Sequence, residues 1–379
     1  MEDIDCIGNV ASTLFSNTYF EAREKFLAIA PTAQAYSCTG KGPTGEALFT
    51  DAVYFGRPDA KKLLVLVSAT HGAEGYVGSA AQLLFMRAKF HEKLPASTAV
   101  LLVHALNCYG FAWDSCLTIE GCDLNRNFVD FSKPLPANPG YEELAEHLAP
   151  ADIGPEAIKR AEAAIEAYRS VHGDQKFREA RSSGQYTMPG GHSFGGGGPT
   201  EARRTLEQIA LDFNAAARDQ VIIIDYHSGL GPYGYGELQC ELASGLAGYD
   251  RATSIFGPSV TSPELGTSSA VVVHGTQDDF WERLLGNRHT YVCLEFGTYD
   301  APRIRGAMRD DLWLVKHRSK EADSELGRRI RNECKLNFYP QKPDWMEMVL
   351  SRSHQVHRQA WEALVTWTTK LDHIGGPRS

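Results

Sequence analysis

The chain has no CxxC pair among its eight cysteines, no excess of basic residues, no internal repeat and no long apolar run. Each absence removes a class of protein. Scattered cysteines, several in apolar settings such as Cys293 in "TYVCLEF", argue against a disulfide scaffold and for reduced thiols. Cys116 and Cys122 lie close together, but their spacing recommends neither a bridge nor a zinc knuckle. A formal net charge of −9 argues against a general binder of nucleic acid or anionic membrane, because both need clustered Lys and Arg. It leaves room for a local basic pocket and an anionic small substrate. No window reaches the roughly 18 apolar residues of a membrane span. The opening "MEDIDCIGNV" lacks the basic and apolar regions of a secretory signal, so a cytoplasmic protein is expected. The pattern carries no signal for a particular oligomer.

What is present is a globular composition, 43% hydrophobic and 22% charged over 379 residues, enough for a substantial core. Short continuous apolar runs read as strands buried on both faces: 62–69 ("KLLVLVSA"), 98–105 ("TAVLLVHA") and 220–226 ("QVIIIDY"). "AVVVH" at 270–274 and "TYVCLEF" at 290–296 read the same way. Segments 19–30, 76–91, 154–170 and about 200–216 read as helices, and 353–371 as an amphipathic helix packed on the body. Residues 182–200, "SSGQYTMPGGHSFGGGGPT", are too glycine-rich for regular structure and read as a long loop. Strands alternating with helices predict one α/β catalytic domain over 1–379, with a mixed, mostly parallel sheet flanked by helices. Residues 135–215 would form a helical and glycine-rich loop insertion on it.

Open α/β sheets bind ligands beyond the carboxyl ends of their strands, so residues just past each end carry the functional signal. The first run ends in His71 and Glu74, inside "ATHGAEGYVG". The second leads from Asn107 to "CDLNRNF" (122–128), the third ends in His227 and the last around Glu295. Singly, each has an ordinary explanation: a polar turn with a capping acid, a hydrogen-bonded core histidine, a structural Arg126 ion pair. Glu295 is harder to explain that way, since an acid after "TYVCL" is a costly buried charge unless paired or functional. All four at strand ends make a constellation. Two imidazoles and one carboxylate are a catalytic zinc set with a fourth position for water. Glu295 could take a proton from that water and deliver it to a leaving nitrogen. Asp123 could orient His71, and Arg126 offers a planar fork for a carboxylate, with the Asn125 amide beside it. The glycines around His71 and Glu74 are expected to let the backbone turn sharply off the strand.

"HGAEG", "DLNRNF", "DYHSGLGPYGYGE" and "LEFGT" together resemble the zinc carboxypeptidase (M14) superfamily, and more narrowly its DUF2817 branch of M14-like bacterial metallopeptidases. The likeness runs from "YFEAREKFL" through "GQYTMPGG" to "LEFGTYD", most of the chain. It implies a carboxypeptidase-like fold binding one Zn2+, with His71, Glu74 and His227 as ligands and Glu295 as the catalytic carboxylate. It also implies that Asn125 and Arg126 hold the substrate carboxylate and that Asp123 supports His71. The sequence departs from the superfamily in one place. Members carry a carbonyl-polarising arginine before "DLNRNF", whereas "NCYGFAWDSCLTIEGC" (107–122) contains no Arg or Lys near the expected place at Ser115 and Cys116. Either zinc alone polarises the carbonyl, or an arginine arrives from elsewhere, with Arg303 and Arg305 as candidates, or activity is weak or altered. Tyr233, Tyr235 and Tyr299 are candidates for the superfamily's catalytic tyrosine.

The expected function is a zinc-dependent hydrolase cleaving an amide bond near a free carboxylate, in a short peptide or N-acyl amino acid, by Glu-assisted attack of metal-bound water. Two alternatives stand beside it. One is a deacylase like aspartoacylase and succinylglutamate desuccinylase, which share the HxxE and His ligands. The other is a degenerate protein that binds zinc and ligand without turnover, suggested by the missing arginine and opposed by Glu295. No nucleic-acid or membrane partner is expected.

Overall fold

The structure, a computed structural model, describes residues 6–242 and 247–366. One eight-stranded sheet runs β1-β2-β4-β3-β5-β8-β6-β7. Its strands are β1 (Gln34–Lys41), β2 (Ala47–Phe55), β3 (Lys62–Val67), β4 (Thr98–His104), β5 (Gln220–Gly229), β6 (Gly236–Gln239), β7 (Val260–Thr261) and β8 (His289–Gly297). The centre, β4-β3-β5-β8, is parallel, and antiparallel pairings join β1 to β2, β2 to β4 and β6 to β8. The continuous apolar runs are explained by burial on both faces. Leu64 and Leu66 of β3 point into one core cluster, while Leu63, Val65 and Val67 point into another. β4 and β5 divide in the same way, each buried aliphatic side chain contributing about 1.5–3 kcal/mol.

Helices α1 (Cys6–Leu14), α2 (Tyr19–Ile29), α3 (Gly75–Arg87) and α4 (Cys108–Ala112) precede α5 (Pro139–Leu148), α6 (Pro155–His172), α7 (Asp174–Ser182) and α8 (Glu201–Asp212). Then come α9 (Ala247–Phe256), α10 (Gln277–Leu285), α11 (Ala301–Glu321), α12 (Glu325–Phe338) and α13 (Pro343–Thr366). The starts follow capping chemistry: Thr18, Asn138, Thr200 and Ser324 accept backbone N–H bonds at the first turns of α2, α5, α8 and α12. Helices α5 to α7 share a small apolar core of their own, built around Tyr141, Leu144, Ile165 and Phe177. Helix α8 instead packs Leu206 and Ile209 onto the sheet. Among the described residues, no helix is long and apolar enough to cross a membrane.

Three expectations need correction. "AVVVH" (270–274) is not a strand. His274 N–H donates to the Ser183 carbonyl and Ser183 Oγ to the Val272 carbonyl, so its backbone is tied to the glycine-rich loop rather than to the sheet. The final helix begins ten residues earlier than expected, at Pro343, and residues 367–371 of the expected 353–371 lie outside the described residues. Finally, His227 lies within β5 rather than just past the expected 220–226 strand, as Glu295 lies within β8. The β3–β5 ladder stops at Val67–Asp225, while β5 and β8 continue to pair as far as Gly229–Gly297. The sheet opens where β3 departs, and the polar residues gather in that opening.

Candidate metal centre

β3 delivers His71 and Glu74 through a tight exit. Ala69 takes a left-handed φ of 59°, strained for a residue with a Cβ, and the Leu106 and Asn107 N–H groups donate to the Ser68 and Ala69 carbonyls. A 3-10 turn, Gly72–Glu74, follows. The sharp turn therefore belongs to Ala69, and the neighbouring glycine has another purpose. A Cβ on Gly72 would lie 2.0 Å from the Gly110 carbonyl carbon, so its absence lets α4 press against the turn that runs from His71 to Glu74.

His71 Nδ1 lies 3.0 Å from Glu74 Oε1, and His227 Nδ1 lies 2.9 Å from Glu74 Oε2. The opposite ring nitrogens are held too: His71 Nε2 is 3.1 Å from Asp123 Oδ1 and His227 Nε2 is 2.8 Å from Asp225 Oδ2. Asp225 is fully buried and also accepts from Thr70 Oγ1, Gln277 Nε2 and the Tyr291 hydroxyl. Ligand atoms of His71, Glu74 and His227 fall within 4.8 Å of one another, and those of His227, Cys293 and Glu295 do likewise. Glu295 Oε1 accepts the Leu230 N–H at 2.9 Å.

The electrostatics call for a cation. Glu74, Asp123, Asp225 and Glu295 surround two imidazoles, all with little or no exposure except His71. Burial opposes the charged form of Glu74, but His71 and then His227 hold its carboxyl below the usual range. Burial raises the Glu295 carboxyl to about 8, and the Glu74 carboxylate beside it adds to the rise. Burial would strip the proton from His71, yet Glu74 and Asp123 lift it to about 9. The field that holds protons on these rings would equally hold a divalent ion. With each Nε2 turned to an aspartate, both Nδ1 lone pairs are free to face it. Two nitrogens and one carboxylate with an open side suit a catalytic transition-metal site.

His71, Glu74, Asp123, Arg126, His227 and Glu295 all line one cavity of about 530 Å³, a size suited to a small ligand. Arg126 is anchored by donating from Nε to the Ser182 carbonyl and from one terminal nitrogen to the Asn125 carbonyl. The glycine-rich loop clasps the turn that carries it. Asp123 N–H donates to Phe194 O, Asn127 Nδ2 donates to Gly195 O, and a Cβ on Gly195 would sit 2.5 Å from the Arg126 carbonyl oxygen. Asn125 is not in the cavity lining; its side-chain oxygen accepts the Gln277 N–H at the start of α10.

Where the arginine was expected, Cys116 lines the cavity, and Asp311 of α11 accepts from Ser115 Oγ and from the Cys116 N–H. Of the two replacement candidates, Arg305 lines the cavity but pairs with Glu162, and Arg303 lies 3.6 Å over the Tyr299 ring and outside the lining. Tyr233, Tyr235 and Tyr299 are likewise outside it. Sequence reasoning missed Asp225, although its two-residue spacing from His227 puts both on one face of β5. It also missed Arg181, His192 and Ser193 in the lining. A histidine inside "GGHSFGGGG" was the available signal for the last two.

Fold and site together define a mixed α/β protein with a candidate metal centre at the carboxyl ends of its central strands. A family model described as "Protein of unknown function (DUF2817)" matches residues 15–352, and the chain belongs to that family. No curated protein matches the sequence. Similar solved structures include bovine thrombin-activatable fibrinolysis inhibitor in complex with tick carboxypeptidase inhibitor, at 12% identity over 81% of this chain and 98% of that one, with a TM-score of 0.43. Carboxypeptidase A from Helicoverpa armigera is 14% identical over 83% and 73% of the two chains, TM-score 0.42. Murein-tripeptide amidase MpaA from Escherichia coli O157 is 16% identical over 75% and 91%, TM-score 0.33.

Proposed function

We propose that the protein is a zinc-dependent hydrolase that cleaves an amide bond near a free carboxylate in a short peptide or an N-acyl amino acid. The observation that carries this reading is the convergence of His71 Nδ1 and His227 Nδ1 on Glu74, with Asp123 and Asp225 fixing the opposite nitrogens and Glu295 alongside. His71, Glu74 and His227 hold one zinc ion, which when bound activates water and polarises the scissile carbonyl.

Glu295 is the general base and then the general acid. It takes the proton of the attacking water and delivers it to the departing amine nitrogen. The Leu230 N–H fixes Oε1, and Oε2, with only the weak Cys293 thiol at 4.0 Å, carries the proton in transit. Arg126 binds the substrate carboxylate, its guanidinium oriented by the Ser182 and Asn125 carbonyls. Asn125 acts through its backbone, by holding Arg126, and its side chain steadies α10. The seven cysteines whose side chains are described are free thiols, which supports a reducing, cytoplasmic setting.

The test is metal content by elemental mass spectrometry on untagged protein, wild type beside His71→Ala, followed by dipeptide and N-acyl amino-acid panels. One zinc per chain, lost in the variant, with turnover abolished by Glu295→Gln, is the expected result. Absence of bound zinc after reconstitution, or turnover surviving Glu295→Gln, sinks the proposal. The two panels separate a carboxypeptidase from a deacylase.

A further inference from the structure

Although the chain carries a net charge of −9, one wall of the cavity is cationic. Five arginines line the cavity: Arg169 on α6, Arg178 and Arg181 on α7, Arg305 on α11, and Arg126. Two have acidic partners: Arg169 pairs with Glu166 and Asp174, and Arg305 with Glu162. Arg178 donates to the Ser269 carbonyl. Arg181 has no ion pair among the described residues; its Nε donates to Ser182 Oγ at 3.2 Å. Burial, followed by the charges of Arg305, Arg178 and Arg126, lowers its guanidinium to about 10. This is a cation held among cations, a costly arrangement that an anionic ligand relieves.

The glycine-rich loop brings a second polar group to the same wall. His192 is only 4% exposed, its Nδ1 lies 2.8 Å from Ser193 Oγ, and among the described residues its Nε2 has no hydrogen-bond partner of ordinary geometry. Burial, then Arg181, keeps the ring neutral, lowering it to about 3. With the Ser193 hydroxyl donating to Nδ1, Nε2 carries the ring proton. The Arg181 carbonyl lies near the ring but makes no hydrogen bond of ordinary geometry with Nε2, which leaves that N–H for an anionic acceptor. Ser193 itself sits at a left-handed φ of 53°, the kind of strain that persists at ligand sites.

We propose that Arg181 and His192 form a second oxyanion subsite beside Arg126, so that the substrate carries two anionic groups. One is the carboxylate next to the scissile amide, and the other, a carboxylate or phosphate, sits on its side chain or acyl arm. This rests on the hydrolase reading for the first carboxylate, but the subsite is readable by binding alone.

The experiment is calorimetry on zinc-loaded full-length protein with N-acetylglutamine, N-acetylglutamate and N-acetyl-O-phosphoserine. At least one of the doubly anionic probes is expected to bind about 10-fold or more tighter than N-acetylglutamine, as a new charge-assisted hydrogen bond predicts. Whichever of the two gains more identifies the second group as carboxylate or phosphate. In Arg181→Gln that preference falls to within about 3-fold, and His192→Leu reduces it as well. Zinc content checks that each variant is still assembled. Equal affinity of the wild type for all three probes, or a preference that survives Arg181→Gln, overturns the subsite. A dianion preference without hydrolysis of any amide overturns the hydrolase reading and leaves the subsite standing. Hydrolysis that is indifferent to the second charge does the reverse.

Discussion

His227 and Glu295 are Cα partners on adjacent parallel strands, one residue of β5 directly opposite one of β8. Directly opposed residues share a face of the sheet, so the ladder itself fixes the separation of the proposed ligand and the proposed base. The carboxylate position then depends on side-chain length. Glu295→Asp withdraws the oxygens by about one methylene, and a misplacement near 1 Å can reduce rate about 10²-fold. The expected result is a kcat lowered at least that far with zinc content unchanged, checked by steady-state kinetics and metal analysis.

Asp225 couples the proposed ligand His227 to the core. It receives Thr70, Gln277 and Tyr291 as well as His227. Asp225→Asn removes the charge that orients the His227 ring and leaves fewer acceptors for those donors. Loss of such a partner typically weakens metal binding about 10- to 100-fold. Competition with a chromophoric chelator measures it, and an affinity within about 2-fold of wild type would contradict the role.

Much of this architecture was legible in the sequence, for a physical reason. Strands buried on both faces must be continuously apolar, so β3, β4, β5 and β8 announced themselves. The HxxE pair, the proposed third ligand His227 and the proposed base Glu295 were singled out from where those runs stop. The β1–β2 hairpin was missed because β1 is mostly exposed, so its sequence alternates weakly and includes polar residues throughout. "AVVVH" misled for the converse reason: an apolar run that lines a cavity has the same composition as one that lies in a sheet. Arg181 and His192 reach the cavity through the packing of α7 and a long loop, and no local spacing encodes that distance.

Metal removal has a predicted thermodynamic sign. Zinc at about 1,000 times its dissociation constant adds about 4 kcal/mol to the folded state. Without it, four carboxylates stand close together around two imidazoles. For a chain of 379 residues this corresponds to a Tm drop of roughly 5 °C on chelation, restored by zinc. Calorimetric scans with and without chelator check it, and an unchanged Tm would argue that the site holds no ion.

Gly72 is the tightest contact of the turn that carries the proposed ligand Glu74, since an added Cβ meets the Gly110 carbonyl carbon at 2.0 Å and the Phe111 nitrogen at 2.3 Å. Both neighbours are backbone, so neither yields by rotating a side chain. Gly72→Ala is expected to destabilise the fold by about 1–3 kcal/mol through overpacking. It should also lower zinc affinity, because His71 and Glu74 move with the turn. Urea unfolding and chelator competition on the same preparation read both effects.

Acid should destabilise the protein through a histidine that does not line the cavity of the proposed metal site. His104 is fully buried on β4, stacked 4.4 Å from the Phe26 ring and 3.1 Å from Ser79 Oγ. Burial, and to a lesser degree the Arg23 guanidinium, lower it to about 3. The unfolded chain titrates near 6.5, so between these values it binds the proton that the folded state refuses. The neutral ring's contribution is therefore complete above about pH 6.5 and declines by about 1.4 kcal/mol per pH unit below it. His104→Gln should flatten the fall in stability between about pH 6.5 and 5 by that slope. The comparison is made by urea titration of zinc-free wild type and variant, so that loss of metal in acid does not contribute, and parallel pH profiles for the two would exclude His104 as the source.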